Sequence, residues 1–354
     1  MTERDASGEL QERVRAAQAS ATPLSICGAG SKAFYGRAVQ GEPLAAAEHC
    51  GIIHYEPTEL VISARAGTPL QVIERALEEH GQMLAFEPPH YGDGATLGGT
   101  VACNFSGPRR ASAGAVRDFV LGSRIINGKG EILSFGGEVM KNVAGYDVSR
   151  LMCGALGTLG VLLEVSLKVL PRPEAETTLS LELDVRQALA RLHEWAQQPL
   201  PVSATCYDGN RLTVRLGGAG GAVVAARKLI GGDELPDAGR FWQRLREHRS
   251  GIFDTQLPLW RLSLASDTPP LAIEGKWLYE WGGALRWLVS DAAPASVRAA
   301  AESVGGHAVL FRRGDRAGAV FHPLPDALMS VHKRLKHAFD PDGILNPGRM
   351  YPDL

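Results

Sequence analysis

Three glycine-dense segments in the first half of the chain set the tightest limit on its fold, because backbone without side chains is where two parts of a molecule, or a molecule and a ligand, approach closest. They are Gly28-Ala29-Gly30-Ser31-Lys32, the run from Asp93-Gly94 through Thr96-Leu97-Gly98-Gly99-Thr100, and Gly154-Ala155-Leu156-Gly157-Thr158-Leu159-Gly160. The first follows a short apolar segment, and Gly28, Gly30 and Ala33 spell a dinucleotide fingerprint. A dinucleotide loop of that kind opens an amphipathic helix, however, and Phe34-Tyr35-Gly36-Arg37 followed by Gly41 and Pro43 does not. The segment by itself is a turn or a nest of N–H groups for an anion, with Ser31 and Lys32 as added donors. The second run is read as a loop continued by Asn104, Ser106 and Gly107, and the third leads into a strand. Three such loops exceed what turns require and suggest an extended, doubly phosphorylated ligand lying on glycine-lined backbone.

Strand and helix signals alternate around these loops. Residues 160–170 place Val161, Leu163, Val165, Leu167 and Val169 on one face and Glu164, Ser166 and Lys168 on the other, a half-buried strand. Residues 60–64 are a second strand. A helix follows with Thr68 as N-cap, Pro69 at the first position and Gln71 closing a capping box. Residues 119–126 and 131–135 flank Asn127-Gly128-Lys129-Gly130, a hairpin. All six tryptophans lie beyond residue 190, and Pro171-Arg172-Pro173 marks the change of regime. At roughly 150 residues per domain, 354 residues suggest two, here 1–172 and 173–354. The second reads as strands 179–183, 202–207, 211–216, 259–264, 284–290 and 307–312 with helices 186–197, 220–230, 294–304 and 325–338. That is an antiparallel sheet with helices on one face, in the split βαβ style. The last helix carries Leu328, Val331, Leu335 and Ala338 on one stripe.

Charge excludes one class of partner. Lys and Arg total 37 against 39 Asp and Glu, a net charge of −2, without the basic excess of a nucleic-acid binder. No apolar run reaches the ~18 residues of a membrane span, and the N-terminus lacks an apolar signal core, so a soluble intracellular protein is expected. The five cysteines have no C-x-x-C pair, and His332 and His337 are five apart, so neither a disulfide framework nor a metal site is expected.

Motifs in order then carry a resemblance: Thr96-Leu97-Gly98-Gly99, Gly107-Pro108-Arg109-Arg110, Arg117-Asp118-Phe119-Val120-Leu121-Gly122, Lys141-Asn142-Val143-Ala144-Gly145-Tyr146-Asp147, Gly157-Thr158-Leu159-Gly160-Val161, and finally Phe339-Asp340-Pro341-Asp342-Gly343-Ile344-Leu345-Asn346-Pro347-Gly348. The chain resembles the FAD-binding flavoproteins of the vanillyl-alcohol oxidase / p-cresol methylhydroxylase (PCMH) family. Over residues 117–171 it is most similar to the FAD-binding E subunits of bacterial glycolate oxidases (glycolate dehydrogenases). The resemblance implies an α+β fold: a PCMH-type FAD-binding domain, a ferredoxin-like antiparallel cap, and a C-terminal segment returning to the first domain. It implies that Gly28, Ala29, Gly30, Ser31 and Lys32 cradle the FAD pyrophosphate. Thr96, Leu97, Gly98, Gly99, Asn104, Ser106 and Gly107 would continue along it. Gly154, Gly157, Thr158, Gly160 and Val161 would hold the flavin or adenine end, with Asn346 close by. Some relatives join the flavin covalently to a histidine of the first loop; residues 28–41 hold none, so FAD is expected to be non-covalent.

No catalytic residue is assigned. Oxidising a 2-hydroxy acid needs a cation for the carboxylate and a base or metal for the hydroxyl proton. The H-x-G-x-G-N-x-H stretch of catalytic relatives is missing, and His307 and His322 stand alone. Arg109, Arg110, Arg117 and the pair Arg312-Arg313 are the available cations; Lys141 and Tyr146 are open between roles beside the flavin and roles in the fold. The expectation is an FAD subunit of a glycolate dehydrogenase complex, its own substrate pocket reduced. A sister FAD subunit would oxidise glycolate to glyoxylate, an iron–sulfur subunit would take the electrons on, and the complex would be cytoplasmic with peripheral contact to the inner membrane. The alternative is a self-sufficient FAD-dependent dehydrogenase of a small 2-hydroxy acid such as D-lactate.

Overall fold

The computed structural model describes residues 3–137, 147–249 and 251–354. In the first half, five antiparallel strands stand in the order Ile52–Glu56, Val61–Arg65, Val161–Lys168, Val120–Ile126 and Ile132–Gly136. The central strand is the alternating run, and its Val161, Leu163, Val165 and Leu167 are all buried. The helix Leu70–Glu78 packs Leu70, Ile73 and Leu77 into the same core, each fully buried and worth about 1.5–3 kcal/mol. The hairpin around Asn127-Gly128 forms as expected.

Two local expectations need correction. Thr68 does not cap the helix, which starts one residue later with Pro69 as its extended N-cap. The Thr68 hydroxyl is buried and committed to Gly51, donating to its carbonyl at 3.1 Å and accepting from its N–H at 2.9 Å. The second glycine segment is not all loop: Leu97–Cys103 is a short helix with Thr96 as its true cap, accepting from Gly99 N at 3.2 Å. Gly98 is there for packing, since a Cβ would lie 2.7 Å from that of Ala66, just past the strand Val61–Arg65.

The second half is one eight-stranded antiparallel sheet, in the order Asp233–Glu234, Ala175–Glu182, Arg211–Gly218, Val202–Tyr207, Lys276–Glu280, Leu285–Val289, Leu259–Ser263, His307–Arg312. Split at the middle, each half has the same arrangement, fourth strand, first, third, second, and the two second strands meet at Cys206–Glu280 and Tyr207–Tyr279. The first half-sheet has the split βαβ order expected of the whole, and the second repeats its strand order. The first copy carries both of its helices, Val185–Ala196 and Gly220–Ile230; the second carries only Pro294–Glu302. Val185–Ala196 begins where its sequence says it should, with Asp184 and Gln187 closing a capping box. The strand Lys276–Glu280 and the helix Ala238–Arg246 were not anticipated.

The chain's last segment crosses back to the first half. Leu24 N–H donates to Ile344 O at 2.7 Å and Asn346 N–H to Leu24 O at 3.0 Å, beside the parallel pair Leu24–Cys27 and Glu42–Ala45. The preceding helix, Asp326–Phe339, does not bury its apolar stripe: Leu328 and Val331 are about half exposed. It docks through its C-terminal turn instead. Buried Lys336 donates to Thr158 O (2.9 Å), Leu345 O (2.7 Å) and the Asp340 carboxylate (2.5 Å). Among the described residues no helix is long and apolar enough to cross a membrane.

Candidate functional site

The strand Leu24–Cys27 runs out at Gly28, and there the three glycine segments meet. Two adjoining hollows of about 570 and 680 Å³ share Ile26, Gly28, Thr96, Gly99, Leu156 and Asn346 and form one groove. The glycines leave room for one another's neighbours. A Cβ on Gly28 would sit 2.5 Å from Thr96 Oγ1, and one on Gly157 would sit 2.7 Å from Asn346 Nδ2. Asn346 locks that corner, its Oδ1 accepting from Ile26 N–H and its Nδ2 donating to Leu156 O, both at 2.7 Å. It adopts a left-handed φ of 43°, which asparagine tolerates better than most side chains.

The groove suits an elongated anion with apolar ends. Among the described residues no carboxylate lines it, whereas Lys32 and Arg349 do. Lys32 is 6% exposed and among the described residues hydrogen-bonds neutral groups, His90 O at 3.3 Å and Ser31 Oγ at 3.4 Å. Burial lowers its ammonium to about 8, against weak support from Cys103 and Glu247. A buried cation with no carboxylate partner among the described residues, in a glycine cradle, fits the diphosphate of FAD. The apolar part of the groove, walled by Ala66, Ala102, Met152 and Leu162, fits a flat ring.

Of the residues expected at the cofactor, Gly28, Ala29, Gly30, Ser31, Lys32, Thr96, Gly98, Gly99, Gly157, Gly160, Val161 and Asn346 line this groove. The others are elsewhere. Leu97 is core, Thr158 hydrogen-bonds Ala155 O, and Gly154 packs on Asn104. Asn104, Ser106 and Gly107 border a second, small cavity between the first half and the eight-stranded sheet. Lys141 and Tyr146 lie outside the described residues.

That second cavity is walled by Tyr91, Trp281, Trp287 and Phe311 and carries Arg261, His248 and Glu280, none of which the sequence singled out. Burial drives the Glu280 carboxyl up to about 7, opposed by the Trp287 indole N–H at 2.7 Å and by Arg261. Burial, then Arg312 and Arg261, hold His248 well below the usual histidine range, so it is neutral. Beside the cavity the rings of Tyr35, Phe105, Phe311 and Tyr91 pack at centroid distances of 4.7–6.2 Å, filling much of the space between the two halves.

The arginines considered for a carboxylate are mostly committed. Arg312 lies over the rings of Phe34 (4.0 Å) and Tyr91 (4.6 Å), and Arg313 turns out to Gln256. Arg110 covers Trp281 at 4.3 Å, and Arg117 is exposed. Arg109 is buried and bridges Glu87 and Glu176. His322 faces Glu302 at 3.1 Å and accepts from Ala308 N–H.

A family profile described as an FAD binding domain matches residues 5–136. The chain is 53% identical over 354 residues to the glycolate oxidase subunit GlcE of Escherichia coli (strain K12), covering 100% of both. It is 35% identical over 128 residues to the glycolate oxidase subunit GlcD of Bacillus subtilis (strain 168), 36% of this chain and 27% of that one. A D-lactate dehydrogenase of Anaerostipes hadrus is 35% identical over 129 residues, 36% and 26% of the two chains. Among solved structures, p-cresol methylhydroxylase with substrate bound superposes with a TM-score of 0.71 at 13% identity, over 99% of this chain and 88% of that one, a likeness of fold.

Proposed function

The chain belongs to the family of the glycolate oxidase subunit GlcE, and from that premise we propose that it is the FAD-binding, electron-transferring subunit of a glycolate dehydrogenase complex. Bound FAD supplies the redox chemistry, taking up the electrons released as glycolate becomes glyoxylate. The chain's own residues hold and orient it. The observation that carries this reading is the glycine groove, without a carboxylate among the described residues that line it, with Lys32 buried in it. Lys32 and the N–H groups of residues 28–31 would bind the diphosphate, Thr96 and Gly99 would continue the cradle, and Gly157, Gly160 and Val161 would border the ring system. The aromatic packing between the halves supports a reduced substrate space and hence a sister FAD subunit for the oxidation itself. An iron–sulfur centre would belong to another partner, since the five cysteines here are scattered. We place the complex in the cytoplasm with peripheral contact to the inner membrane through its partners.

Lys32→Met is expected to weaken FAD binding ~10–100-fold, the worth of a charge-assisted hydrogen bond. Binding of the diphosphate favours charged Lys32, so the complex holds more protons than the free chain above pH about 8. Affinity should therefore fall as pH rises from 8 to 10 in the native chain and stay level over that range in Lys32→Arg; fluorescence titration with FAD reads both.

The reading as a whole is tested by the visible spectrum of the purified chain. A flavin spectrum is expected, with all flavin released into the supernatant on acid precipitation. Anaerobic glycolate should leave it oxidised until the partner subunits are added. Bleaching by glycolate or D-lactate alone would make the chain a self-sufficient dehydrogenase. A colourless chain that cannot be reconstituted with FAD would overturn both.

A further inference from the structure

Residues 87–91 belong to no helix or strand, so no ladder of backbone hydrogen bonds fixes the His90 carbonyl on which the Lys32 ammonium rests at 3.3 Å. A side chain of the second half fixes it instead. Glu247, at the C-cap of the helix Ala238–Arg246, reaches across with a carboxylate that is 7% exposed. Its two oxygens accept from the His90 N–H at 3.1 and 3.2 Å, and one of them accepts from the Tyr91 N–H at 2.8 Å. Tyr91 stands at a left-handed φ of 54°, a conformation that persists in a bulky residue only where the surroundings impose it.

The same carboxylate acts on Lys32 by its charge. The titratable and charged groups about the lysine are Cys27, Cys103 and Arg349 around the groove, exposed Asp93 between the glycines that face Ala29 and Ser31, His90, whose ring meets Glu74 at 3.1 Å, and Glu247. The phenols of Tyr35 and Tyr91, both raised above their ordinary range by burial, stay neutral. Of all these, Cys103 and Glu247 favour the ammonium against burial. Burial pushes the Cys103 thiol up to about 11, so it carries no charge where Lys32 titrates, and Glu247 is the supporting charge that remains.

We propose that Glu247 is a positioning residue for flavin binding: from the second half it fixes the His90 carbonyl and keeps Lys32 charged for the diphosphate, so that the contact between the halves sets the affinity of the groove. The inference rests on the proposed function for the role of Lys32.

Fluorescence titration of the full chain with FAD between pH 6.5 and 9.5 tests it. Without the carboxylate, free Lys32 sheds its proton at lower pH, and binding must restore that proton. The loss of affinity should therefore begin at lower pH in Glu247→Gln than in the native chain, with a deficit that grows to ~3–10-fold at pH 8.5. A role confined to packing would weaken binding alike at every pH. In a Lys32→Arg background the guanidinium stays charged, and Glu247→Gln should leave the profile level. Glu247→Asp keeps the charge and should keep the native onset. Should Glu247→Gln not fold, Arg246→Met decides: it frees the Glu247 carboxylate from its partner at 2.9 Å, and the onset should move to higher pH. An onset unmoved in the folded variant, or a deficit equal at all pH, overturns the proposal and leaves the flavin reading standing. A native chain that binds FAD with a level profile overturns the proposal together with the role of Lys32, and one that binds no FAD overturns the flavin reading as well.

Discussion

Asp340→Ala is expected to cost about 3–5 kcal/mol of stability, the usual consequence of leaving a buried charge without its partner. It should also empty the chain of flavin. Asp340 is 1% exposed and carries three hydrogen bonds: from Lys336 Nζ at 2.5 Å, from Ile344 N–H at 3.1 Å and from Leu345 N–H at 2.7 Å. Removing the carboxylate strands Lys336, whose ammonium is already pushed below its ordinary range by burial, with Asp340 the group that opposes this. It also releases the backbone of residues 344–345, which sets Asn346 against Ile26 and Leu156 at the groove. There is no slack for repair on the other side, where Gly128 packs so closely that a Cβ would lie 2.2 Å from Asp340 Oδ1. Asp340→Asn keeps the shape and some acceptor capacity and should lie between the two. The double variant Asp340→Ala/Lys336→Met should recover part of the loss, since neither charge is then buried. Denaturant unfolding and the flavin-to-protein absorbance ratio measure the two effects. A loss under about 1 kcal/mol would mean the pair is not the clasp described.

Glu87→Ala should be comparably severe and should act on the contact between the two halves. The Glu87 carboxylate takes both Nη groups of Arg215 at 2.8 and 2.7 Å and the Arg109 N–H at 2.9 Å. Arg215 belongs to the eight-stranded sheet and its side chain is 4% exposed, so losing Glu87 leaves a buried guanidinium with the neutral Ser203 hydroxyl at 3.2 Å, the Trp242 ring and, as the one carboxylate among the described residues, Glu176 at 3.9 Å. About 3–5 kcal/mol is again the expected cost. Burial alone would raise the Glu87 carboxyl, but Arg215 and then Arg109 outweigh it, and the net shift is downward. A depressed carboxyl contributes stability that is complete above its ordinary value and is lost as pH falls through the folded one. The native chain should therefore lose stability in acid more steeply than Glu87→Gln. Unfolding midpoints between pH 3 and 7 test this, and parallel pH profiles for the two proteins would contradict it.

What the sequence discloses and what it withholds divide along a physical line. The alternation of residues 160–170 and the turn residues 127–130 are local, and both elements stand where expected. The glycine segments were legible as places of close approach, because only glycine permits contacts such as Gly28 against Thr96 and Gly157 against Asn346 at the groove. Gly98 carries the same signal for another reason, close packing on Ala66, and no pattern separates the two. Asn104 and Ser106 follow the second segment in sequence, yet the left-handed turn at Asn104 (φ 54°) ends the short helix and they border the other cavity. Arg261 and Glu280 gave no signal, since each sits singly on its own strand and only the sheet brings them together. The stripe on the final helix misled because Lys336, with its three carbonyl and carboxylate partners, decides which end is buried. The doubled strand order of the sheet leaves no sequence period at all, because it is a property of pairing.

The return of residues 344–346 to the strand Leu24–Cys27 has a consequence for biosynthesis. The groove is framed by residues 320 positions apart in the sequence, Ile26 and Asn346. A nascent chain, however well folded its glycine segments, lacks the asparagine that closes the corner beside Gly157. Chains that stop short of Asn346 are accordingly expected to hold no flavin, a deficit that the visible spectrum of a truncated chain would show.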